Sequence, residues 1–305
     1  MSPRPEPAGT VSARYADDHP AGAAVVIEVD GQPRWTYVHG ARRRPFVHPL
    51  VTPAGHVLSV DAPDDHPWHH GLWFTIKFVN GENFWEEYDA YGVLRHVAPP
   101  KIEHGGAAAG PGGISLVGAL RWVRPDRETV VIDEDRRLTH VPLDETAYAI
   151  DLETTIVPRA DVVLDRTPFT TWGGYGGLTF RGRPDFHDTV ITTSDGAHDR
   201  VLGARGPWLG LSGFVGGADG DVPAGIALLD APDNPSHPTP WYGSTKADTY
   251  GDEGWSNFVN AAFLWEGPQA LAEGEPLSFR YRVVVHDGHW DAAQVAAAHV
   301  AFTTR

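Results

Sequence analysis

The chain has 305 residues, of which 41% are hydrophobic and 21% are charged, so it can bury a sizeable core. Its 40 acidic and 24 basic residues leave a net charge of -16, which opposes binding to nucleic acid and to anionic membrane surfaces. The absence of cysteine excludes disulfides and thiolate chemistry, so any metal site would have to use His, Asp or Glu.

The N-terminal residues do not have the pattern of a secretory signal peptide. The residues after Met1 lack the apolar run that a secretory signal requires, and we expect residues 1–20 to be flexible. Gly, Pro or a charge interrupts each apolar stretch before it reaches the roughly 18 residues that span a bilayer. The sequence therefore predicts a cytoplasmic protein with one domain, 1–305, and leaves its oligomeric state open.

Two hairpins are predicted in the first third of the chain. Each joins two apolar segments through Asp-Gly or Asn-Gly, dipeptides that suit the positive φ angles of tight turns. The segments are 24–29 with 34–38, and 72–79 with 83–87. Antiparallel pairing follows from these turns.

Further strand signals recur through the rest of the chain. The clearest is 148–156, in which Tyr148, Ile150 and Leu152 alternate with polar residues. The other predicted strands are 114–123, 129–133, 189–193, 208–215, 225–229 and 277–285. Only 291–302 has helical character, with Asp291 as its N-cap. The sequence predicts an all-β fold, a large antiparallel β-sandwich with a C-terminal helix.

Residues 231–254 are predicted to form a long ordered binding loop. They contain no obvious strand, and they exceed the usual loop length of about 4 to 6 residues. Their aromatic and ionisable residues are too numerous for a passive linker.

The densest candidate site is the run Asp65-His66-Pro67-Trp68-His69-His70. Imidazole titrates near neutral pH and also binds metals, so such a cluster can supply an acid, a base or metal ligands. If the run were extended, His66 and His70 would share one face and His69 would point the other way. Glu86 is added as a candidate because the second hairpin links it to this cluster.

Two further segments could contribute to binding. Four prolines surround His237 and would present it rigidly ahead of Trp241 and Tyr242. The alternation of glycine and aromatic residues around Trp172 and Tyr175, followed by Arg181, fits either core packing or sugar stacking.

The motifs Arg44-Pro45-Phe46-Val47-His48-Pro49-Leu50, Asp65-His66-Pro67-Trp68-His69-His70 and Asn234-Pro235-Ser236-His237 together resemble the bacterial PmoA-like family. The resemblance covers nearly the whole chain. It implies a supersandwich related to galactose mutarotase and an activity on sugars. Members commonly have Arg at the position of His70 and Glu at the position of Trp172, so those two roles do not carry over, whereas His66, His69 and His237 match.

The leading hypothesis is an enzyme acting on a small-molecule carbohydrate by elimination, hydrolysis or epimerisation, with a 3-keto-glycoside as a suitable substrate. No cofactor is required, although a divalent metal held by His and Glu is possible in an alternative, oxidoreductase reading. A non-catalytic carbohydrate-binding protein is the other alternative.

Four histidines, His66, His69, His70 and His237, are expected to converge on one pocket walled by Trp241 and Tyr242. The catalytic candidates are His66, His69, His70, His237 and Glu86; the substrate-binding candidates are His48, Trp73, Trp85, Trp172, Tyr175, Arg181, Trp241 and Tyr242.

Overall fold

The computed structural model describes residues 9–40, 42–105, 113–168, 174–217, 220–245 and 256–304. Within these ranges the chain forms 23 β-strands and one α-helix, numbered in chain order. No helix among them is long and apolar enough to cross a membrane.

Nine strands form a first antiparallel sheet, which carries the candidate site. In spatial order they are β1 (Val11–Ala16), β2 (Ala24–Val29), β3 (Gln32–Val38), β4 (Phe46–Leu50), β5 (Leu72–Thr75), β14 (Gly177–Arg181), β21 (Phe258–Ala261), β20 (Pro240–Ser244) and β17 (Arg200–Arg205).

Ten strands form a second sheet, and four short strands form a third. The second sheet runs β16 (Gly196–His198), β15 (Phe186–Thr193), β18 (Trp208–Gly217), β19 (Gly220–Asp230), β23 (Leu277–Asp287), β12 (Ala147–Pro158), β11 (Val130–Pro142), β10 (Ile114–Val123) and β8 (Val93–His96), with β9 (Lys101–His104) beside β10. The third contains β22 (Gln269–Leu271), β13 (Val162–Asp165), β6 (Phe78–Val79) and β7 (Glu82–Asn83).

The two large sheets pack face to face. Their inner faces share one buried apolar cluster, to which the first sheet gives Phe180 and Trp241 and the second gives Ile150 and Val283. Each sheet also has an outer face with its own cluster, because side chains alternate along a strand. The predicted large antiparallel β-sandwich is therefore confirmed.

Several predicted elements are confirmed in detail. The strand predicted at 24–29 is β2, and the turn after it places Asp30 and Gly31 at positive φ angles of 51° and 73°. In β12 the predicted apolar face, which includes Tyr148 and Leu152, is buried.

Three predictions about local structure differ from the structure. Within residues 1–20, which were expected to be flexible, 11–16 form β1 and pair with β2. The segment 72–79 is divided, because β5 belongs to the first sheet and β6 to the third, and the expected return strand 83–87 is reduced to β7. The segment 231–254 is not strand-free, because β20 pairs with both β17 and β21. Residues 246–254 lie outside the described residues.

The C-terminal helix α1 (Ala292–Thr303) is confirmed within one residue of its predicted bounds. Asp291 accepts a hydrogen bond from the backbone N–H of Gln294, whose side chain accepts one from the N–H of Asp291, which completes a capping box. Val295 and Phe302 pack on the outer face of the second sheet.

Stability should fall as the pH drops from about 6.5 toward 4. Burial lowers the pKa values of His140 and His286 to about 4 each, and both side chains are almost fully buried. Between about pH 6.5 and pH 4 these two histidines bind protons in the unfolded chain but stay neutral in the folded one. Each histidine therefore lowers the free energy of unfolding by about 1.4 kcal/mol per pH unit in this range. Urea unfolding at pH 7 and pH 5 checks this; equal free energies of unfolding would contradict it.

Candidate active site

A row of paired residues crosses the outer face of the first sheet. Directly paired residues in antiparallel strands point to the same face. Phe46 pairs with Trp73, Trp73 with Thr179, Thr179 with Asn260, and Asn260 with Tyr242. This outer face, with the loop residues packed on it, is the candidate active site.

The histidine run enters this face through two turns and is not extended as expected. His66 N–H donates to Pro63, and His69 N–H donates to His66. The turns stack the rings of His66 and His69 with their centroids 4.5 Å apart. Gly71 directly precedes β5 and has a φ of 63°, where a Cβ would lie 2.3 Å from the carbonyl oxygen of Val47. Only glycine fits this position.

His66 is held by a carboxylate. Its Nδ1 lies 2.9 Å from Oδ2 of Asp65, and the same oxygen accepts a hydrogen bond from Arg181 at 2.8 Å. Burial by itself would raise the pKa of Asp65, but the hydrogen bond from His66 and the charge of Arg181 bring it below its ordinary value. The ionised Asp65 can only accept hydrogen bonds, so Nδ1 of His66 carries a hydrogen and Nε2 is the atom that can take up a proton.

His69 is buried against aromatic rings and stays neutral. Burial, aided by the charges of His66 and Arg181, lowers its pKa well below the ordinary value. Its ring lies 5.1 Å from that of Trp73 and 5.2 Å from that of Phe258. Nδ1 of His69 is buried without a hydrogen-bond partner among the described residues. This histidine suits hydrogen bonding better than proton uptake.

The aromatic residues form two layers. Trp73, Trp85 and Tyr242, which were expected to bind substrate, are at most 2% exposed and form the floor. Three partly exposed rings pack on this floor, and these are Trp68, Tyr175 and Trp265. A ligand on this face would meet this second set, and Tyr175 is the only predicted binder in it.

A buried ion pair lies beside Tyr175. Lys77, which is 5% exposed, donates a hydrogen bond to Glu86, and Glu86 accepts another from Asn83 at 2.5 Å. Burial lowers the pKa of Lys77, and the charge of Glu86 opposes that shift. Nζ of Lys77 is 5.9 Å from the ring centroid of Tyr175, whose pKa burial raises to about 12.

His70 points away from His66 and His69 into a charged network. Its Nδ1 lies 2.6 Å from Asp61, and its Nε2 is 3.2 Å from Glu87 without hydrogen-bond geometry. Its ring stacks on Phe46 with centroids 4.6 Å apart. Contact with His70 lowers the pKa values of both carboxylates against the opposing effect of burial. His70 is fully buried, and its predicted catalytic role stays a prediction.

Arg44 connects two loops of the site through buried hydrogen bonds. Its guanidinium donates to the backbone carbonyl oxygens of Trp68, Phe84 and Trp85, and Glu87 lies 3.8 Å away. The side chain is 1% exposed. Arg44 therefore fixes both the partly exposed Trp68 and the buried Trp85.

His48 lies near His70 and not on the aromatic floor. Its Nδ1 is 2.9 Å from Oγ of Ser59, and burial lowers its pKa to about 4. It is half-buried, and its predicted contact with substrate stays a prediction.

His237 does not join the other histidines, contrary to the predicted single pocket. It precedes β20, and His69 precedes β5, which is three strands away in the sheet. Three strand spacings amount to roughly 14 Å. The intervening pairings are all antiparallel, so β5 and β20 run in opposite directions, and the two histidines lie at opposite ends of the strands as well as three strands apart.

His237 instead closes a turn. Its Nδ1 lies 2.7 Å from Oδ2 of the fully buried Asp230, which also accepts the N–H of Thr239 and the amide of Asn234. Burial raises the pKa of Asp230, whereas these hydrogen bonds oppose that shift.

Replacing His237 by alanine should therefore act on stability. The change removes one hydrogen bond from a buried carboxyl group, which costs about 1–3 kcal/mol. Urea unfolding of His237→Ala measures this cost. His187→Ala removes a partly exposed histidine of β15 and should cost far less. An unchanged free energy of unfolding in His237→Ala would contradict the assignment.

Trp241, which was predicted to form a wall of the pocket, lies elsewhere in the structure. It is fully buried between the two large sheets, and its indole N–H donates to Gly206 at 2.9 Å. Alternation along β20 sends Trp241 inward and Tyr242 outward. Trp172 lies outside the described residues.

The proposed ligand set for a metal is not assembled. No three His, Asp or Glu side chains in the described ranges are placed to hold one metal ion. Glu86 pairs with Lys77, and His237 pairs with Asp230.

Several residues of the site were missed by the sequence analysis, including Trp68, which lies within the histidine run but was not among the predicted binders. Lys77 gave a signal, since it interrupts an apolar segment at a position that proves buried. Arg44 belonged to a recognised motif, but its backbone partners lie some 24 to 41 positions away. Trp265 had no local signal, because only the fold brings it to the ring of Tyr242, at 6.4 Å.

Solved structures of sugar-acting proteins are similar to this chain at low identity. The heparan sulfate lyase HepC from Pedobacter heparinus is 10% identical over 93% of this chain, with a TM-score of 0.37, and the chain spans 36% of that lyase's length. A galactose mutarotase related enzyme from Lactobacillus acidophilus is 8% identical over 90% of this chain and 97% of its own, with a TM-score of 0.38. The GalM/aldose epimerase homologue from C. elegans is 9% identical over 92% of this chain and 100% of its own, with a TM-score of 0.35.

Sequence comparison identifies a family without a known activity. No curated protein sequence matches the chain. The pattern of the family of unknown function DUF6807 matches residues 24–300, nearly the whole sequence. The chain therefore belongs to the family DUF6807.

Proposed function

We propose that this protein is an enzyme that acts on a carbohydrate bound to the outer face of the first sheet. The observation that carries the proposal is His66, a 26% exposed imidazole held by the ionised Asp65 beside partly exposed aromatic rings. An imidazole oriented in this way can take a proton from a substrate and return it. Trp68, Tyr175 and Trp265 can stack on the apolar face of a sugar ring.

A neutral histidine on this face can form a hydrogen bond with a substrate, and a nearby ion pair can supply acid–base chemistry. His69 offers a neutral ring stacked on His66, and Lys77 with Glu86 forms a buried ion pair next to Tyr175. Buried ion pairs contribute little net stability compared with apolar packing, so the presence of this pair beside the partly exposed Tyr175 supports a functional role.

The finer assignment rests on the resemblance to the PmoA-like group, which stays a prediction. In a 3-keto-glycoside the ketone acidifies the neighbouring C–H. His66 would remove that proton, and a protonated group such as Lys77 would donate one to the departing glycosidic oxygen. Hydrolysis and epimerisation would use the same proton-transferring groups.

A substrate screen with product analysis tests the proposal. The purified chain is incubated with a panel of glycosides and their 3-keto forms, and products and binding are both measured. Turnover of at least one class is expected. Tight binding without any turnover would instead indicate a carbohydrate-binding protein, and absence of both would contradict the proposal.

A further inference from the structure

The partly exposed ring of Trp68 is in contact with two tyrosines of the loop that precedes β8. The centroid of Trp68 lies 5.4 Å from that of His66 and 5.7 Å from that of Tyr88. The ring of Tyr88 in turn lies 5.6 Å from that of Tyr91. We call the rings of Trp68, Tyr88 and Tyr91 the aromatic extension. It begins beside the imidazole that is proposed to transfer protons and continues into the loop 84–92.

Tyr88 is accessible to a ligand. Of the Phe, Tyr and Trp side chains in the described ranges, only Tyr15 and Tyr88 are exposed, at 49% and 52%. The hydroxyl group of Tyr15 donates a hydrogen bond to the backbone of Pro100, whereas that of Tyr88 forms none with any residue that the structure describes. Tyr88 therefore offers a ligand both an apolar ring face and a free hydroxyl group.

The loop that carries Tyr88 is anchored by two arginines. The guanidinium group of Arg127, in the turn between β10 and β11, donates hydrogen bonds to the backbone carbonyl oxygens of Asp89 and Tyr91 at 2.9 Å and 2.7 Å. Arg43 forms an ion pair with the side chain of Asp89, and the backbone N–H of Tyr91 donates to the carbonyl oxygen of Tyr88. Because the loop is already held in place, a ligand that stacks on Tyr88 pays little entropy to order it.

We propose that the candidate active site takes an oligosaccharide, with one sugar ring at His66 and the next ring on the aromatic extension. This inference rests on the proposed function and names its substrate class. Asp89 directly follows Tyr88, its side chain is fully exposed, and with its partner Arg43 it offers an acceptor and donors to sugar hydroxyl groups. An apolar aglycone would cover these charged groups without replacing their hydrogen bonds to water. A second sugar unit is therefore the better occupant.

Calorimetric titration of the full-length protein with matched probes tests this inference. The probes are the methyl glycosides, disaccharides and phenyl glycosides of glucose, galactose and mannose, each with its 3-keto form. For at least one sugar the disaccharide should bind about tenfold or more tightly than the methyl glycoside, because the second ring gains the contact with Tyr88. Equal affinities for these two probes would overturn this inference and leave the proposed function standing. Tighter binding of the phenyl glycoside than of the disaccharide would also overturn it, and absence of binding by every probe would count against the proposed function as well.

Variants of Tyr88 show whether the second sugar ring lies on the aromatic extension. Tyr88→Ala should weaken binding of the disaccharide about tenfold and leave the affinity for the methyl glycoside within about twofold of the wild type. Tyr88→Phe keeps the ring and should retain most of the disaccharide affinity. The control is Tyr15→Ala, which removes the similarly exposed tyrosine of β1 at the edge of the first sheet and should bind both probes like the wild type. Wild-type affinity of Tyr88→Ala for the disaccharide would overturn the inference.

Discussion

Replacing His66 by glutamine should lower kcat on the carbohydrate substrate by about 100-fold or more, because an amide cannot exchange the proton that imidazole transfers. Asp65→Asn should also lower kcat, since an amide that donates to Nδ1 favours the wrong tautomer of His66. His66→Gln removes no buried apolar contact, so this variant should stay folded. Asp65→Asn also weakens the ion pair with Arg181, so its free energy of unfolding is measured beside its kcat.

The control for this prediction is His104→Gln. His104 is an exposed histidine of β9, and β9 belongs to the second sheet. Steady-state kinetics and circular dichroism of the variants and the wild type separate loss of chemistry from loss of fold. If His66→Gln kept kcat within about threefold of the wild type, His66 would not be the proton-transferring group.

Replacing Arg44 by methionine should reduce the free energy of unfolding by about 3–5 kcal/mol, the usual cost of breaking a buried charged network. The change removes the donor that three backbone carbonyl groups share and leaves Glu87 with His70 as its remaining close partner. Methionine fills much of the same volume, so the loss reports on the polar contacts and not on a cavity.

Denaturant unfolding of Arg44→Met measures this effect, with Arg14→Met as the control. Arg14 pairs with Glu28 at 3.0 Å, but its side chain is 57% exposed, so its loss should matter far less. Equal losses in the two variants would contradict the role of Arg44. Because Arg44 also holds the loop that carries Trp68, Arg44→Met should bind the carbohydrate more weakly.

The sequence predicts the parts of the fold that depend on local pattern. Residues 24–29 are followed by a strong turn signal and form the expected strand, β2. Residues 291–302 begin with a capping residue and form the expected helix, α1. The division of 72–79 into β5 and β6 was not predictable, because it depends on which sheet each half joins. Alternation alone also cannot say which face of β20 is inward, and this decides the different roles of Trp241 and Tyr242.

The candidate site was predicted where its residues are neighbours in the sequence. His66 and His69 lie together, and the role of Asp65 follows from the turn that holds them. Strand order and direction, which no local pattern encodes, separate His237 from His66 and His69, because it precedes β20, which runs opposite to β5 and lies three strands away. The rigid presentation of His237 was predicted from the surrounding prolines, and in the structure the buried Asp230 holds its ring.

A crystal structure of His66→Gln with the carbohydrate identified by the screen tests most directly whether the outer face of the first sheet is the active site. The sugar ring is expected to stack on one of the three partly exposed rings, Trp68, Tyr175 or Trp265, with its reacting atoms within about 3.5 Å of the side chain at position 66. A sugar bound elsewhere, for example on the outer face of the second sheet, would contradict this assignment.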